Sequence, residues 1–264
     1  MTDTRRIDTG VTALTVAYDG AAFHGFARQP GLVTVQGSIE GALGVTLGRE
    51  VGIVGAGRTD AGVHALGQVV TFPSAPGDPG REALRRSLTA LLAPHLAVRD
   101  VRYAPTGFSA RYDATSREYR YFLVPGPVPP IALRGRAWWT KGTLDLDAMR
   151  EAAAQLLGEH DFKSFCVGPS AEGKRTVRHV AVLEIERGCE MGEDHVVIRI
   201  AGRSFLHSMV RIVAGSLVQV GKGRRDPSFV GEALAACDRA AAGITAPACG
   251  LTLWRVDYPE GSWL

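Results

Sequence analysis

The chain bends at a glycine-rich stretch, Gly55-Ala56-Gly57-Arg58-Thr59-Asp60-Ala61-Gly62-Val63-His64-Ala65. The residues before it, Val51 to Val54, are mostly apolar and β-branched, and Gln68-Val69-Val70-Thr71-Phe72 follows it, so both flanks are predicted to be strands. Glycine lets the backbone take a positive φ or approach another molecule closely. The pattern therefore predicts a strand–loop–strand unit with one carboxylate, Asp60, near the tip of its loop.

Two interpretations of Asp60 are open on local chemistry alone. In the first, its side chain accepts hydrogen bonds from nearby backbone N–H groups in an ordinary Asx-type turn. In the second, Arg58 keeps the carboxylate ionised, and the carboxylate serves as a nucleophile or a base. The spacing of these residues does not separate the two interpretations.

The first half of the chain alternates strands and helices in the order β-α-β-β-α-β. Thr34 is placed to cap the first helix, in which Ile39, Leu43 and Leu47 recur on one face. This order is the split β-α-β, ferredoxin-like arrangement, an antiparallel sheet with helices on one face. The predicted elements are strand 12–18, helix 35–48, strand 51–57, strand 67–72, helix 82–93 and strand 97–104.

The second half shows a similar alternation after a junction near Pro105-Thr106-Gly107. The similarity indicates an internal duplication, and we expect two α/β domains, residues 1–106 with the Asp60 loop and residues 107–264. Asp145 precedes a helix and is expected to cap it. The predicted elements are strand 117–124, strand 136–140, helix 145–157, strands 176–187 and 194–201, helix 205–220, a helix from Pro227 to about 239, and strand 250–257.

Composition limits the class of protein. The 264 residues are 45% hydrophobic and 22% charged, as is typical of soluble globular proteins. No apolar run is long enough to span a bilayer, and Met1 to Arg6 do not begin a secretory signal, so we expect a cytoplasmic protein with no membrane partner. The four cysteines form no C-x-x-C pair, and no ligand spacing surrounds His64 or His207, so we expect neither a disulfide framework nor a metal site.

The net charge of +3 is compatible with a polyanionic partner. The distribution of charge decides nucleic-acid binding more than its total does. Each basic cluster is either a solvated face or a set of phosphate contacts. The clusters are Arg81-Arg85-Arg86, Arg117-Arg120, Arg134-Arg136, Lys174-Arg175-Arg178 and Lys222-Arg224-Arg225.

The stretch Arg58-Thr59-Asp60-Ala61-Gly62-Val63-His64 resembles the signature of the TruA family of tRNA pseudouridine synthases, in which the aspartate is catalytic. Other motifs of that family follow in the same order over nearly the whole chain. They are Tyr18-Asp19-Gly20, Phe23-His24-Gly25, Arg28-Gln29, Val35-Gln36, Phe108-Ser109-Ala110-Arg111, Arg117-Glu118-Tyr119-Arg120-Tyr121, Glu159-His160-Asp161-Phe162-x-Ser164-Phe165, Phe205-Leu206-His207-x-Met209-Val210-Arg211 and Ala246-Pro247-x-x-Gly250-Leu251.

The resemblance implies a fold and an activity. Two ferredoxin-like, or RNP-like, α/β halves would share an extended antiparallel sheet with a central cleft, and the enzyme would be a homodimer. It would isomerise uridine to pseudouridine at positions 38, 39 and 40 in the anticodon arm of tRNA. The reaction breaks the N1–C1′ bond and rejoins the base through C5, without net redox change or hydrolysis. No cofactor is therefore required on chemical grounds.

The resemblance also implies roles for individual residues. Asp60 would be the nucleophile or base, through attack at C6, attack at C1′ or removal of the C2′ proton. Arg58 would pair with Asp60 at rest and then fill the space left by the flipped nucleotide. Tyr119 would stack on the uracil and handle the C5 proton. The remaining substrate-binding residues would be Arg211, which helps to hold the aspartate, Leu251, which walls the uracil pocket, and His64, which contacts RNA; Tyr121 would be structural.

Two rival functions and one departure from the family remain. A non-catalytic protein that binds structured RNA would use the same sheet and basic clusters. A hydrolase with an Asp nucleophile would need a D-x-D metal motif or a second catalytic carboxylate, and Asp145-x-Asp147 is the one D-x-D pattern, at a predicted helix start. Phe26-Ala27 stands where the family usually has Trp-Gln, which affects the surroundings of the N-terminal loop and leaves the chemistry unchanged.

Overall fold

The computed structural model describes residues 10–167 and 172–264, so Met1 to Arg6 lie outside the described residues. The described chain forms two compact units. The first runs to Thr115 and includes Leu253–Leu264, and the second is Ser116–Thr252. The division falls after Thr115 rather than after residue 106, and the last residues belong with the first unit. Within the described ranges, no helix is both long and apolar enough to cross a membrane.

The first unit has the predicted split β-α-β topology. Its elements are β1 (Val11–Tyr18), α1 (Val35–Leu47), β2 (Val54–Gly55), β3 (His64–Pro73), α2 (Arg81–Leu92) and β4 (Leu96–Ala104). β1 pairs antiparallel with β3 and with β4, and β2 pairs antiparallel with β3, which gives the order β4-β1-β3-β2. Helices α1 and α2 pack against each other, so they cover the same side of this sheet.

The strand predicted at 51–57 is much shorter in the structure. The strand consists of Val54 and Gly55, which pair with Thr71 and Val70 of β3. The N–H group of Ile53 instead donates to the Glu40 carboxylate at 3.0 Å, so a side chain on α1 takes the bond that a neighbouring strand would supply. β3 begins at His64, earlier than predicted, because the residues after the Asp60 loop pair with β1 at once.

Helix starts follow the predicted capping residues. The Gly37 N–H group donates to the Thr34 hydroxyl at 3.2 Å at the start of α1. At the start of the helix after Asp145, the N–H groups of Asp147 and Ala148 both donate to the Asp145 carboxylate at 3.0 Å. The D-x-D pattern is therefore a helix cap, as expected.

The second unit repeats this architecture. Its elements are β5 (Ser116–Val124), β6 (Trp138–Trp139), α3 (Leu146–Ala154), β7 (Gly158–Asp161), β8 (Val177–Glu190), β9 (Glu193–Gly202), α4 (Met209–Gly221) and α5 (Phe229–Ala236). The antiparallel order β5-β9-β8 corresponds to β1-β3-β2, and α3 packs on α4 as α1 packs on α2. β7 extends the sheet antiparallel to β8, whereas β6 pairs parallel with β5. The α/β class is confirmed, and pairing in this unit is mixed rather than wholly antiparallel.

Several elements of the second unit differ from the prediction in their bounds or their existence. β6 has two residues instead of five, and β7 was not predicted because its sequence, Gly158–Asp161, is polar. The helix predicted from 205 begins at Met209, since Ser208 has a φ of 59° and interrupts it. The hairpin between β8 and β9 turns at Met191 and Gly192, whose φ values are 52° and 81°, so both strands are longer than expected.

The last strand, β10 (Leu251–Asp257), begins in the second unit and continues in the first. In the first unit it lies beside β3. A Cβ atom at Gly67 would be 2.5 Å from the carbonyl oxygen of Trp254, so this approach of the two strands requires glycine.

Candidate active site

The Asp60 loop connects β2 to β3 and is closed by backbone hydrogen bonds. The Ala56 N–H group donates to the carbonyl of Val69 at 2.8 Å, and the Val63 N–H group donates to the carbonyl of Asp60 at 3.1 Å. Gly62 takes a φ of 78°, which ends the loop before β3 begins. Asp60 itself is half-buried, so its carboxylate lies at the surface of a fixed turn.

Thr59 is the buried anchor of this loop, at 7% exposure. Its hydroxyl lies 2.9 Å from the hydroxyl of Tyr18, and its carbonyl accepts the N–H group of Phe26 at 3.0 Å. Gln68 donates from Nε2 to the carbonyl of Gly57 at 2.8 Å. Burial raises the pKa of Tyr18 to about 12, although hydrogen bonds oppose the shift, so this hydroxyl stays protonated at neutral pH. The residue next to Asp60 is therefore held on both its side chain and its backbone.

The N-terminal glycines fit directly beneath the loop. A Cβ atom at Gly20 would be 2.1 Å from the carbonyl oxygen of Val63. Gly25 has a φ of 96°, and its Cβ atom would be 3.2 Å from the carbonyl oxygen of Thr59. These residues were noted in the sequence only as family motifs. The structure shows that they support the Asp60 loop.

Phe26, which departs from the family pattern, packs beside the Asp60 loop, next to the residues that support it. Its side chain is 3% exposed, and a Cβ atom at Gly55 would be 2.3 Å from its ring. The aromatic ring therefore fills the space beside the loop, and Gly55 is small because the ring occupies that space.

His64 lies below the loop rather than on its surface. It is 2% exposed, its Nδ1 atom accepts the Gly20 N–H group at 3.1 Å, and the same atom lies 3.2 Å from a carboxylate oxygen of Asp19. These contacts tie the start of β3 to the Asp19-Gly20 turn. Its surroundings favour a role in holding the loop, and the predicted RNA contact stays a prediction.

Arg58 is exposed on the Asp60 loop. Its predicted pairing with Asp60 at rest stays a prediction.

The two tyrosines on β5 have different surroundings. Tyr119 is 8% exposed and meets the edge of Phe205, with ring centroids 5.3 Å apart. Tyr121 is completely buried, donates its hydroxyl to the carbonyl of Pro247 at 2.7 Å and leaves no room for a Cβ atom at Gly250. Burial raises the pKa of Tyr121. The structure therefore places Tyr121 in the packing of the second unit.

Arg211 and Leu251 are linked through Ala246. Arg211 donates from Nε to the carbonyl of Ala246 at 2.8 Å, and the Ala246 N–H group donates to the carbonyl of Arg211 at 3.1 Å. This two-way connection holds the segment that leads to Leu251 against α4. Leu251 is 5% exposed at the start of β10.

Glu118 is a buried carboxylate on the other face of β5 from Tyr119. Its side chain is 3% exposed and pairs with Arg120 at 3.0 Å and with Arg199 at 3.2 Å. Burial alone would raise the pKa of Glu118, but hydrogen bonds from Arg199 and Arg120 outweigh it and hold the pKa below its usual range. This carboxylate is neutralised by two guanidinium groups. In the part of the chain that the structure describes, no group of three or more His, Cys, Asp or Glu side chains is arranged to hold a metal ion.

Comparisons with known proteins agree with the motifs. A family model described as tRNA pseudouridine synthase matches residues 152–259. The chain is 46% identical over 244 residues to tRNA pseudouridine synthase A of Brevibacillus brevis, covering 92% of this chain and 97% of that protein. It is 41% identical over 248 residues to the protein of that name from Bacillus subtilis, covering 92% and 97% of the two chains. It is 40% identical over 245 residues to that of Thermotoga petrophila, covering 92% and 98%. The chain therefore belongs to the tRNA pseudouridine synthase A family.

Proposed function

We propose that this protein isomerises uridine to pseudouridine in tRNA, with Asp60 as the catalytic carboxylate. The observation that carries the proposal is the Asp60 loop. A half-buried carboxylate follows directly on Thr59, which is anchored by Tyr18 and Phe26. A reacting group held in one place removes much of the entropic barrier to a step that must attack a single atom of the substrate.

The carboxylate can start the reaction by three routes. Asp60 attacks C6 of the uracil, attacks C1′ of the ribose, or removes the proton from C2′. Each route needs an ionised carboxylate within contact of the nucleotide, and covalent catalysis by Asp is an established form of nucleophilic chemistry. Arg58 is exposed on the same loop, and in this proposal it fills the space that the flipped nucleotide leaves in the RNA.

The proposal assigns substrate binding to residues of the second unit. Tyr119 stacks on the extruded uracil and handles the C5 proton, Leu251 forms an apolar wall of the uracil pocket, and Arg211 helps to hold the Asp60 carboxylate. Extruding a base costs a few kcal/mol, which stacking and hydrogen bonds in the pocket offset. The support is the match of these positions to the family motifs and the connection of Arg211 to the segment before Leu251 through Ala246.

The finer substrate assignment rests on the family. We propose that the modified uridines are at positions 38, 39 and 40 of the anticodon arm, that the enzyme acts as a cytoplasmic homodimer, and that the reaction uses no cofactor. The rearrangement involves no net redox change and no hydrolysis, which supports the last point. Phosphate contacts from the basic clusters would make tRNA affinity fall as salt rises.

The test is release of tritium from uridine labelled at C5 in an unmodified tRNA. Wild-type protein is compared with Asp60→Asn, which keeps the shape of the side chain and removes its charge. Asp147→Asn is the matched control, because this carboxylate is 93% exposed and forms a surface pair with Arg150 in the same turn of α3. Binding of the same tRNA is measured for all three proteins.

The expected result is release by wild type and Asp147→Asn, none by Asp60→Asn, and similar tRNA binding by all. Loss of release with binding retained separates the chemical step from recognition. Tight binding without release by the wild-type protein would contradict the enzyme proposal and favour a non-catalytic protein that binds structured RNA. Mapping pseudouridine along the product tRNA then tests positions 38, 39 and 40.

A further inference from the structure

The segment Phe108–Asp113 displays an aromatic side chain that the proposed chemistry does not use. Tyr112 is 72% exposed. The guanidinium carbon of Arg111 lies over its ring, 5.4 Å from the ring centroid, and Arg111 is itself exposed. An arginine over one face of the ring leaves the opposite face toward solvent. The first unit therefore presents a planar cation and an open aromatic face side by side.

The backbone that carries this pair is held by hydrogen bonds of its own. The Ser109 N–H group donates to the Asp113 carboxylate at 2.7 Å, and the Asp113 N–H group donates back to the carbonyl of Ser109 at 3.1 Å. The Arg111 N–H group donates to the Ser109 hydroxyl at 3.3 Å. The Asp113 carboxylate beside Arg111 and Tyr112 is thus used within the turn, where it accepts a backbone N–H group.

The same segment is also anchored to strands of the first unit. The carbonyl of Ala110 accepts the hydroxyl of Tyr258 at 2.8 Å, and its N–H group donates to the hydroxyl of Thr71 at 3.3 Å. Phe108 packs between two rings, 5.3 Å from Tyr258 and 5.1 Å from Trp263 between centroids. These contacts hold the segment in place before any ligand binds. A ligand of Tyr112 would therefore bind a preformed surface, and little conformational entropy of the protein would be lost on binding.

A nucleotide of RNA matches this surface in both of its parts. Every base has a flat face that stacks on an aromatic ring, whatever its identity, and unpaired bases are the usual targets of such stacking in RNA. The adjoining phosphate carries the charge that Arg111 would neutralise. The Asp113 carboxylate is used within the turn, whereas the Tyr112 ring and the Arg111 guanidinium are exposed. This arrangement favours a ligand that is both flat and anionic.

We propose that Arg111 and Tyr112 form a stacking site for one unpaired nucleotide of the tRNA, separate from the residues assigned to chemistry. This inference rests on the proposed tRNA substrate and adds a contact that recognises the RNA without reacting with it. The tyrosine ring supplies stacking and the arginine supplies a phosphate contact.

The test measures the affinity of an unmodified tRNA for Tyr112→Ala, Tyr112→Phe and Arg111→Gln over a series of salt concentrations. Val45→Ala is the matched control, because Val45 is 73% exposed on α1 and its loss removes a similarly exposed apolar side chain. Thermal unfolding of every variant is recorded. The assay reads binding alone, so the result does not depend on whether the protein releases tritium.

We expect Tyr112→Ala to raise Kd about tenfold, as loss of one base–aromatic stack would, while Tyr112→Phe and Val45→Ala stay within about twofold of wild type. Arg111→Gln should reduce the slope of log K against log salt by about one. Wild-type affinity in Tyr112→Ala, or equal losses in the Ala and Phe variants, would overturn the stacking site. A wild-type protein that binds tRNA but releases no tritium contradicts the catalytic proposal alone, whereas one that does not bind tRNA overturns the stacking site too.

Discussion

The hydroxyl of Tyr18 lies 2.9 Å from the hydroxyl of Thr59, in a buried contact between residues 41 positions apart in the chain. Tyr18 ends β1, and Thr59 immediately precedes Asp60, so this bond connects the first strand of the sheet to the Asp60 loop. With the Phe26 N–H group on the Thr59 carbonyl, it fixes where the next residue can lie. The placement of Asp60 therefore depends on residues from the N-terminal segment.

Removing the Tyr18 hydroxyl should impair catalysis more than folding. In Tyr18→Phe the buried Thr59 hydroxyl loses this partner, which costs about 1–3 kcal/mol of unfolding free energy. A small displacement of a reacting group can lower a rate by up to about a hundredfold, so we expect tritium release to fall about tenfold or more. Urea unfolding and the tritium assay measure the two effects.

The control for that variant is Thr46→Val. Thr46 and Ser87 form a second pair of hydroxyls at 2.9 Å, between α1 and α2 and away from the loop. Its loss should lower stability by about 0.5–1.5 kcal/mol with release like that of wild type. Equal loss of release in both variants would mean that general instability, and not Asp60 placement, limits the reaction.

Adding one methyl group at Gly20 should disturb the loop strongly. The new Cβ atom would be 2.1 Å from the Val63 carbonyl oxygen, which is backbone and cannot rotate away. We expect Gly20→Ala to lose about 1–3 kcal/mol of stability and most of its tritium release. Gly41→Ala is the comparison, because Gly41 lies in α1 and, outside its own stretch of helix, no atom of the described residues is within 4 Å of its Cβ position. Alanine there should stabilise the helix by about 0.5–1 kcal/mol, and similar outcomes for both variants would contradict the packing argument.

Removing the hydroxyl group from each of the two tyrosines of β5 should have different effects on tritium release and on stability. Tyr119→Phe keeps the ring and removes the hydroxyl that we assign to the C5 proton, so tritium release should fall while tRNA affinity is retained. Tyr121→Phe removes the bond to the Pro247 carbonyl, and we expect it to lower stability by about 1 kcal/mol with much less effect on release. Single-turnover release, tRNA binding and thermal unfolding on both variants decide the matter. Normal release by Tyr119→Phe would remove its hydroxyl from the mechanism.

The segment 131–133 should lose its hydrogen-bonded attachment to Glu193 at low pH. The carboxylate of Glu193 accepts the N–H groups of Ile131, Ala132 and Leu133 at 2.6, 3.0 and 2.9 Å. These bonds lower the pKa of Glu193 from 4.5. A lowered folded pKa means that the stabilisation is complete above the ordinary pKa and is lost as pH falls through the lowered one.

Hydrogen-exchange protection of residues 131–133, measured against pH, checks this prediction. Wild type should lose protection below about pH 4.5, whereas Glu193→Gln should show weaker protection that no longer changes over that range. Glu190→Gln, an exposed residue across the same hairpin, is the control and should behave like wild type. Protection that is independent of pH in the wild-type protein would contradict the carboxylate anchor.

The long helices and strands could be predicted from the sequence pattern because they depend on residues that are close together in the chain. The bounds of α1 agree with the prediction since Ile39 and Leu43 share a face and Thr34 caps the first turn. The local pattern did not predict the short strands correctly. β2 is cut short by the Glu40 carboxylate on a helix, and β7 exists because residues of β8 pair with it. Such pairing depends on a partner distant in sequence, and no local periodicity carries it.

The sequence by itself determined the family, the repeated α/β order and the position of Asp60 between two strands, because motif identity and side-chain periodicity are properties of neighbouring residues. Only the tertiary structure decided what holds that aspartate. It placed Tyr18 and Gly20 against the loop, buried His64 beneath it and turned Arg58 to solvent. These relationships arise from packing between segments that are far apart along the chain, where close approach, burial and competition for hydrogen bonds select one arrangement.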